Sequence, residues 1–227
     1  MPTIKLNLFS KTKELDTKIN EFLNNVLPQT LKYEGGYANV EGDNGGETYR
    51  GISKKANPNW SGWAILDTLK PLRTGDKLNH PLLNQAVADL YFEKYFKKLN
   101  LHILNSSKVA SAIFDFYVHG GFSAKKLQNI LNERFLTNLV CDGIIGVKTI
   151  NAINNVDANQ LIQYILEWRE LYLKQIVTNN SNQSKFLRGW LNRLSQLKGL
   201  LLSPLPLSFV FFVVCLGIFF MQKGGSL

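Results

Sequence analysis

Cysteine is scarce in this chain. Cys141 and Cys215 are the only two among 227 residues, and the second lies in a strongly apolar tail. A disulfide framework is thereby excluded. Histidine is equally sparse: His80, His102 and His119 stand far apart, without HExxH or Cys/His ligand spacing, so neither a metal site nor a cofactor is expected. The amino-terminal stretch MPTIKLNLFSKTKELDTKINEF has no long apolar run and mixes charges throughout, unlike a secretory signal peptide. Acidic residues are also in short supply, 17 against 26 basic ones, which gives a formal charge of +9 and favours an anionic partner. The basic residues are spread as pairs such as Lys54-Lys55, Lys97-Lys98 and Lys125-Lys126, with no arginine-rich arm, so nucleic acid is not expected as that partner.

Charge disappears altogether near the carboxyl end. The segment LLLSPLPLSFVFFVVCLGIFFM, Leu200 to Met221, contains no charged residue and is bracketed by Lys198 and Lys223. As a helix it would span about 33 Å at ~1.5 Å per residue, and the part after Pro206 about 22 Å, so a short transmembrane helix over residues 200–221 is expected.

The remainder reads as mainly α. Leu15, Ile19, Phe22, Leu23, Val26, Leu27 and Leu31 recur at spacings of three and four over Glu14 to Lys32, with Pro28 placed to kink or divide that helix. His80-Pro81 opens a second helix through Leu83, Val87, Leu90, Tyr91 and Tyr95. Val109 to Val118 is a nearly continuous apolar run, interrupted by Ser111 and Asp115 and stopped by Gly120-Gly121; it predicts a buried central helix. Helices over Lys125 to Phe135, Val147 to Ile153, Gln160 to Val177 and Ser184 to Leu197 follow, the first two separated by the turn-rich CDGIIG, Cys141 to Gly146.

One stretch breaks the helical pattern. YEGGYANVEGDNGGETYRGI, Tyr33 to Ile52, is too rich in glycine to stay helical and predicts turns or a small hairpin. Glu34 falls at the end of the first helix and Asp43 lies nine positions on, inside the turns. A helix-end glutamate facing an aspartate across a cleft is what glycosidic hydrolysis needs, with one carboxyl protonated and the other ionised. A separation of ~6.5–9.5 Å admits a water and inverts configuration, whereas ~5–5.5 Å implies a covalent intermediate. Ordinary turn chemistry explains Asp-Asn-Gly-Gly equally well.

The order Glu34-Gly35-Gly36-Tyr37, Asp43-x-Gly45-Gly46-Glu47-Thr48, Gly51-Ile52 resembles the signature of glycoside hydrolase family 108, bacterial and phage N-acetylmuramidases with a lysozyme-like fold. The resemblance implies that Glu34 is the catalytic acid. By likeness to phage-type lysozymes, Asp43 and Thr48 are the residues expected to hold water, with Glu47 a rival second carboxylate. Tyr37, Glu47, Tyr49, Arg50 and His119 become candidate substrate contacts, although a packed hairpin explains the tyrosines and Arg50 as well. Tyr91-Phe92-x-x-Tyr95-Phe96 and Ala112-x-Phe114-Asp115-Phe116 resemble further helices of that family. Asp142-Gly143-Ile144-Ile145-Gly146-x-Lys148-Thr149 and Phe186-Leu187-x-Gly189-Trp190 resemble the predicted peptidoglycan-binding module that accompanies it.

The expected organisation is a helical lead-in over 1–24, a catalytic region over 25–105, a helical peptidoglycan-binding region over 106–197 packed on it, and the membrane segment. The expected function is hydrolysis of the β-1,4 bond between N-acetylmuramic acid and N-acetylglucosamine. The partners are then peptidoglycan glycan strands and, through the tail, a membrane. The alternative is a membrane-tethered peptidoglycan-binding protein that cleaves little. Lys185, Arg188, Arg193 and Lys198 before the span favour keeping that side in the cytoplasm, so the wall would be reached through a phage holin or a secretion device.

Overall fold

The computed structural model describes Lys13, residues 15–40 and residues 46–202. Asp43 and the tail beyond residue 202 lie outside the described residues. Helix α1 (residues 15–21) continues through a π-helical turn, Phe22–Val26, into α2, Leu27–Leu31. The turn sits immediately before Pro28, whose missing N–H cannot take part in the regular ladder; one widened turn accommodates the proline without breaking the rod. Phe22 and Val26, which the widened turn carries, are both buried.

Three two-residue strands follow: β1 (Tyr37–Ala38), β2 (Thr48–Tyr49) and β3 (Ile52–Ser53). They form an antiparallel sheet in the order β1-β2-β3, with Tyr37 opposite Tyr49 and Tyr49 opposite Ile52. The expected hairpin is therefore a three-stranded sheet. Helix α3 (Gly62–Thr68) leads to α4 (Pro81–Tyr91), whose first turn is capped by His80 Nδ1 accepting from the Leu83 amide at 3.3 Å. A second π-helical turn, Phe92–Lys97, continues α4 and presents Phe92 and Phe96 to Phe22.

Helix α5 (Ser107–His119) forms the centre. Every residue from Val109 to Phe116 is buried, as the apolar run predicts. Ser106 caps its start and Gly120, at φ 93°, ends it. Around it pack α6 (Ala124–Phe135), α7 (Val147–Asn154), α8 (Ala158–Asn179) and α9 (Ser184–Leu202). The loop between α6 and α7 is gathered by the buried Gln128. Its amide nitrogen donates to Asp142 Oδ1 at 2.8 Å and to the Ile144 carbonyl at 3.1 Å, while its oxygen accepts from the Gly143 amide at 2.9 Å.

Helix α9 runs past the expected end at Leu197 because its apolar stripe continues through Leu194, Leu197 and Leu201, the last only 1% exposed. Residues 200–202, expected to open the membrane segment, are thus the last turn of a packed helix. Among the described residues no helix is long and apolar enough to cross a membrane.

Among the described residues, three charged side chains meet in the core. Asp115 on α5 accepts from Arg169 Nη1 on α8 at 2.6 Å and from Arg193 Nη2 on α9 at 2.6 Å, and the Thr30 hydroxyl on α2 donates to it at 2.9 Å. All three charged side chains are at most 7% exposed. Removing one partner from such a buried group leaves an uncompensated charge. Arg169→Met is expected to lower unfolding free energy by about 3–5 kcal/mol. The exposed Lys174→Met should change it by less than about 1 kcal/mol, both read by urea denaturation.

Candidate active site

Glu34 leaves the end of α2 and folds back against the turn that joins β2 to β3. That turn is Arg50-Gly51, a two-residue connection with φ of 45° and 77°. Two successive positive φ values match the twist of the flanking strands, and the first falls on an arginine, a conformation costing about 1–3 kcal/mol outside glycine. The Tyr91 hydroxyl on α4 fastens the turn by donating to the Arg50 carbonyl at 2.8 Å. Gly51 is required twice over. Its φ disfavours a side chain, and a Cβ there would lie 2.7 Å from Glu34 Oε2 and 2.8 Å from the Tyr91 hydroxyl.

Gly36 has a different task. A Cβ would meet the Gly75 and Asp76 carbonyl oxygens at 2.3 and 2.4 Å, in the segment that binds β1 through Tyr37 N to Asp76 O and Gly75 N to Tyr37 O. Gly35 has nothing within 4 Å of such an atom. Of the two glycines in EGGY, the second is the one that packing demands.

The Glu34 side chain is 19% exposed, and Arg193 Nη1 lies 3.5 Å from its Oε1. Burial pushes its pKa above the usual carboxylate value, against the opposing pull of Arg193; Asp115 adds to the rise. Tyr91 and Tyr95 face the same carboxyl, and the nearby carboxylate raises both phenols further above their burial-shifted values. Glu34 is thus a partly buried acid with a raised pKa, open on one side to solvent.

Glu47 is the opposite case. Its carboxylate is bound by Lys54 Nζ at 2.6 Å, Lys70 Nζ at 2.9 Å and the Tyr37 hydroxyl at 3.0 Å. Burial works to raise its pKa, but these three partners outweigh it and hold it at about 2. The rival carboxylate is therefore an ionised clasp tying the sheet to the loops at Lys54 and Lys70. Tyr37 is committed to that clasp. Tyr49 has no exposed surface, and its hydroxyl accepts from the Leu78 amide at 3.1 Å, so its ring offers no face to a sugar.

Thr48 occupies β2 with its hydroxyl donating to the Gly46 carbonyl at 3.0 Å. His119 ends α5 beside Trp190, and burial first, then Arg169 and Arg193, bring its pKa down to about 4, which leaves the ring neutral at neutral pH. Among the described residues no cluster suits a metal ion. The residues that sequence reasoning missed are Asp115, Arg169 and Arg193. Each left a signal: a carboxylate inside a ten-residue apolar run, and two arginines in register with buried leucines on α8 and α9.

Residues 27–121 match the glycosyl hydrolase 108 family and residues 123–195 match the family described as a predicted peptidoglycan domain. A solved structure titled "Structure of Brucella abortus SagA" is similar over 78% of this chain and 91% of that one, at 26% identity and a TM-score of 0.51. Among curated proteins nothing matches.

The two glutamates give opposite pH signatures. Glu47 is depressed when folded, so its stabilisation is present above its unfolded pKa near 4.5 and is lost as pH falls towards 2. Glu34 is raised, so its ionisation weakens the fold as pH climbs from the unfolded value through the folded one. Subtracting the stability curve of Glu47→Gln from that of wild type should leave a difference confined to the rise from about pH 2 to 4.5 and flat above. A difference centred above pH 4.5 would contradict the clasp.

Proposed function

We propose, for a chain that joins a glycosyl hydrolase 108 region to a predicted peptidoglycan domain, that it is an N-acetylmuramidase with Glu34 as proton donor. The observation that carries this reading is the environment of Glu34: a carboxyl at a helix end, partly desolvated, raised in pKa and seated against a turn whose glycine has no room for a side chain. Those are the properties a general acid needs near neutral pH. The similarity of the second region to a peptidoglycan domain supports the wall polymer as substrate.

In this mechanism Glu34 protonates the oxygen linking N-acetylmuramic acid to N-acetylglucosamine as that bond breaks. Positive charge develops on the sugar ring. Asp43, outside the described residues, is the proposed partner that steers water or stabilises that charge, together with Thr48 of β2. Glu47, the rival for that partner role, is ionised but has its oxygens taken up by Lys54, Lys70 and Tyr37, which favours Asp43. No cofactor enters the mechanism. The net positive charge favours a polymer bearing carboxylates and phosphates, an attraction that weakens with salt.

The delivery route also belongs to the proposal. The apolar segment after residue 202 acts as a membrane anchor, and a holin or secretion device gives the catalytic region access to the wall.

Mass spectrometry of peptidoglycan digested by the full-length protein tests the reaction. Fragments with N-acetylmuramic acid at the new reducing end are expected. Glu34→Gln should lower their release by about 10²–10⁴-fold, while Glu47→Gln, which loosens the sheet without removing the acid, should lose less. Release of such fragments by Glu34→Gln at the wild-type rate would sink the assignment.

A further inference from the structure

The second region is matched to a predicted peptidoglycan domain, yet its last helix reaches into the site of the first. We infer that Arg193, carried by α9, is a positioning residue for Glu34, so that the acid site is shared by both regions and is incomplete without the second. The inference rests on the acid role proposed for Glu34 and deepens it.

Arg193 divides its guanidinium between two carboxyls. Nη2 donates to Asp115 Oδ1 at 2.6 Å and Nε to Asp115 Oδ2 at 3.3 Å, which fixes the plane of the group. Nη1 remains and faces Glu34 Oε1 at 3.5 Å. The guanidinium is also laid over the Tyr33 ring at 4.8 Å, beside Glu34 in sequence. One helical turn on, Gln196 accepts from the Tyr33 hydroxyl at 2.6 Å and from Lys32 Nζ at 2.9 Å. Three consecutive residues, Lys32 to Glu34, are thus held by α9.

Charge balance gives the arrangement a chemical consequence. Asp115 is one negative group against two arginines, so the buried cluster carries a surplus positive charge that faces Glu34. While Glu34 is protonated that charge is unmatched. When Glu34 gives its proton to the glycosidic oxygen, the carboxylate formed meets the cation, an interaction stronger after transfer than before. Arg193 therefore lowers the barrier to donation, while burial raises the pKa of the carboxyl beforehand. Among the described residues, the other groups facing Glu34 are Tyr91 and Tyr95 from α4 and its π-turn, and Asp115 from α5. The phenols stay neutral through the working range, and Asp115 stays ionised, because its two arginines outweigh burial.

The test compares full-length wild type, Arg193→Gln and Arg193→Lys in three readings: kcat and KM on insoluble peptidoglycan, the alkaline limb of the pH profile, and direct titration of the Glu34 carboxyl by NMR. Arg193→Gln is expected to lose about 10²-fold in kcat, with KM and wall binding near wild type. Without the cation the Glu34 pKa rises, so the alkaline limb moves to higher pH. Arg193→Lys, which keeps the charge but cannot serve both carboxyls, should fall between. A purely structural arginine would scale activity down at every pH without moving the limb.

Wild-type kcat and an unmoved limb in folded Arg193→Gln overturn the inference, as does loss confined to wall binding. Should Arg193→Gln not fold, Arg193→Lys decides: a lower kcat with a raised Glu34 titration supports the inference, and wild-type values for both overturn it. Should wild type release no reducing ends, the muramidase reading fails. The Glu34 titration still reports separately whether Arg193 governs that carboxyl.

Discussion

The structure depends on one buried carboxylate. Asp115 is buried in the middle of the central helix, and the arginines of α8 and α9 and the hydroxyl of Thr30 make its presence tolerable. That requirement determines how four helices meet. Leucines could slide past one another by a fraction of a turn at modest cost, whereas charge-assisted bonds at 2.6 Å could not. A wholly apolar contact of similar volume could be as stable, so the gain from the cluster lies in register more than in free energy. The register in turn decides where the end of α2 lies, and with it Glu34.

Most helix positions were legible in the sequence through a three-and-four periodicity and a stop at glycine or a polar loop, whereas α3, seven residues between proline-marked turns, was too short to show one and reads as loop. The central helix was recognisable from Val109 to Val118 without any partner in view. The overrun of α9 was not, because leucines at 200 to 202 satisfy a membrane span and a packed stripe equally; only the burial of Leu201 separates the two. The π-turn before Pro28 was foreshadowed as a kink but not as a rod with one widened turn, which is a local solution that sequence does not encode in any residue type.

The candidate site was legible in Glu34, the proposed acid, but not in the groups around it. Glu34, Gly36 and Gly51 stand within one short stretch, so their order could be compared directly with a known signature. Asp115, Arg169 and Arg193 are spread over 54 and 78 positions of separation from α5, and no local pattern ties them. The hairpin residues Tyr37, Glu47 and Tyr49 share composition with a sugar cleft, yet their contacts run inward. A tyrosine that closes a clasp and a tyrosine that stacks on a sugar look identical until their hydroxyls are traced.

The two described glutamates of the opening motif show how environment, not residue type, sets which carboxyl has the character of an acid. Glu34 and Glu47 are the same group thirteen positions apart, and both are largely removed from water. Glu47 meets two ammonium groups and a phenol, all directed at its oxygens, so desolvation is overcome and the proton is lost. Glu34 meets a single guanidinium at 3.5 Å, already engaged by Asp115, so desolvation wins and its pKa is raised. Adding a second cation beside Glu34 would make it another clasp. Removing the one it has would leave a proton too firmly held to give away. A donor must lie between those limits, and for the proposed acid that balance comes from sharing one arginine between a buried aspartate and a partly buried glutamate.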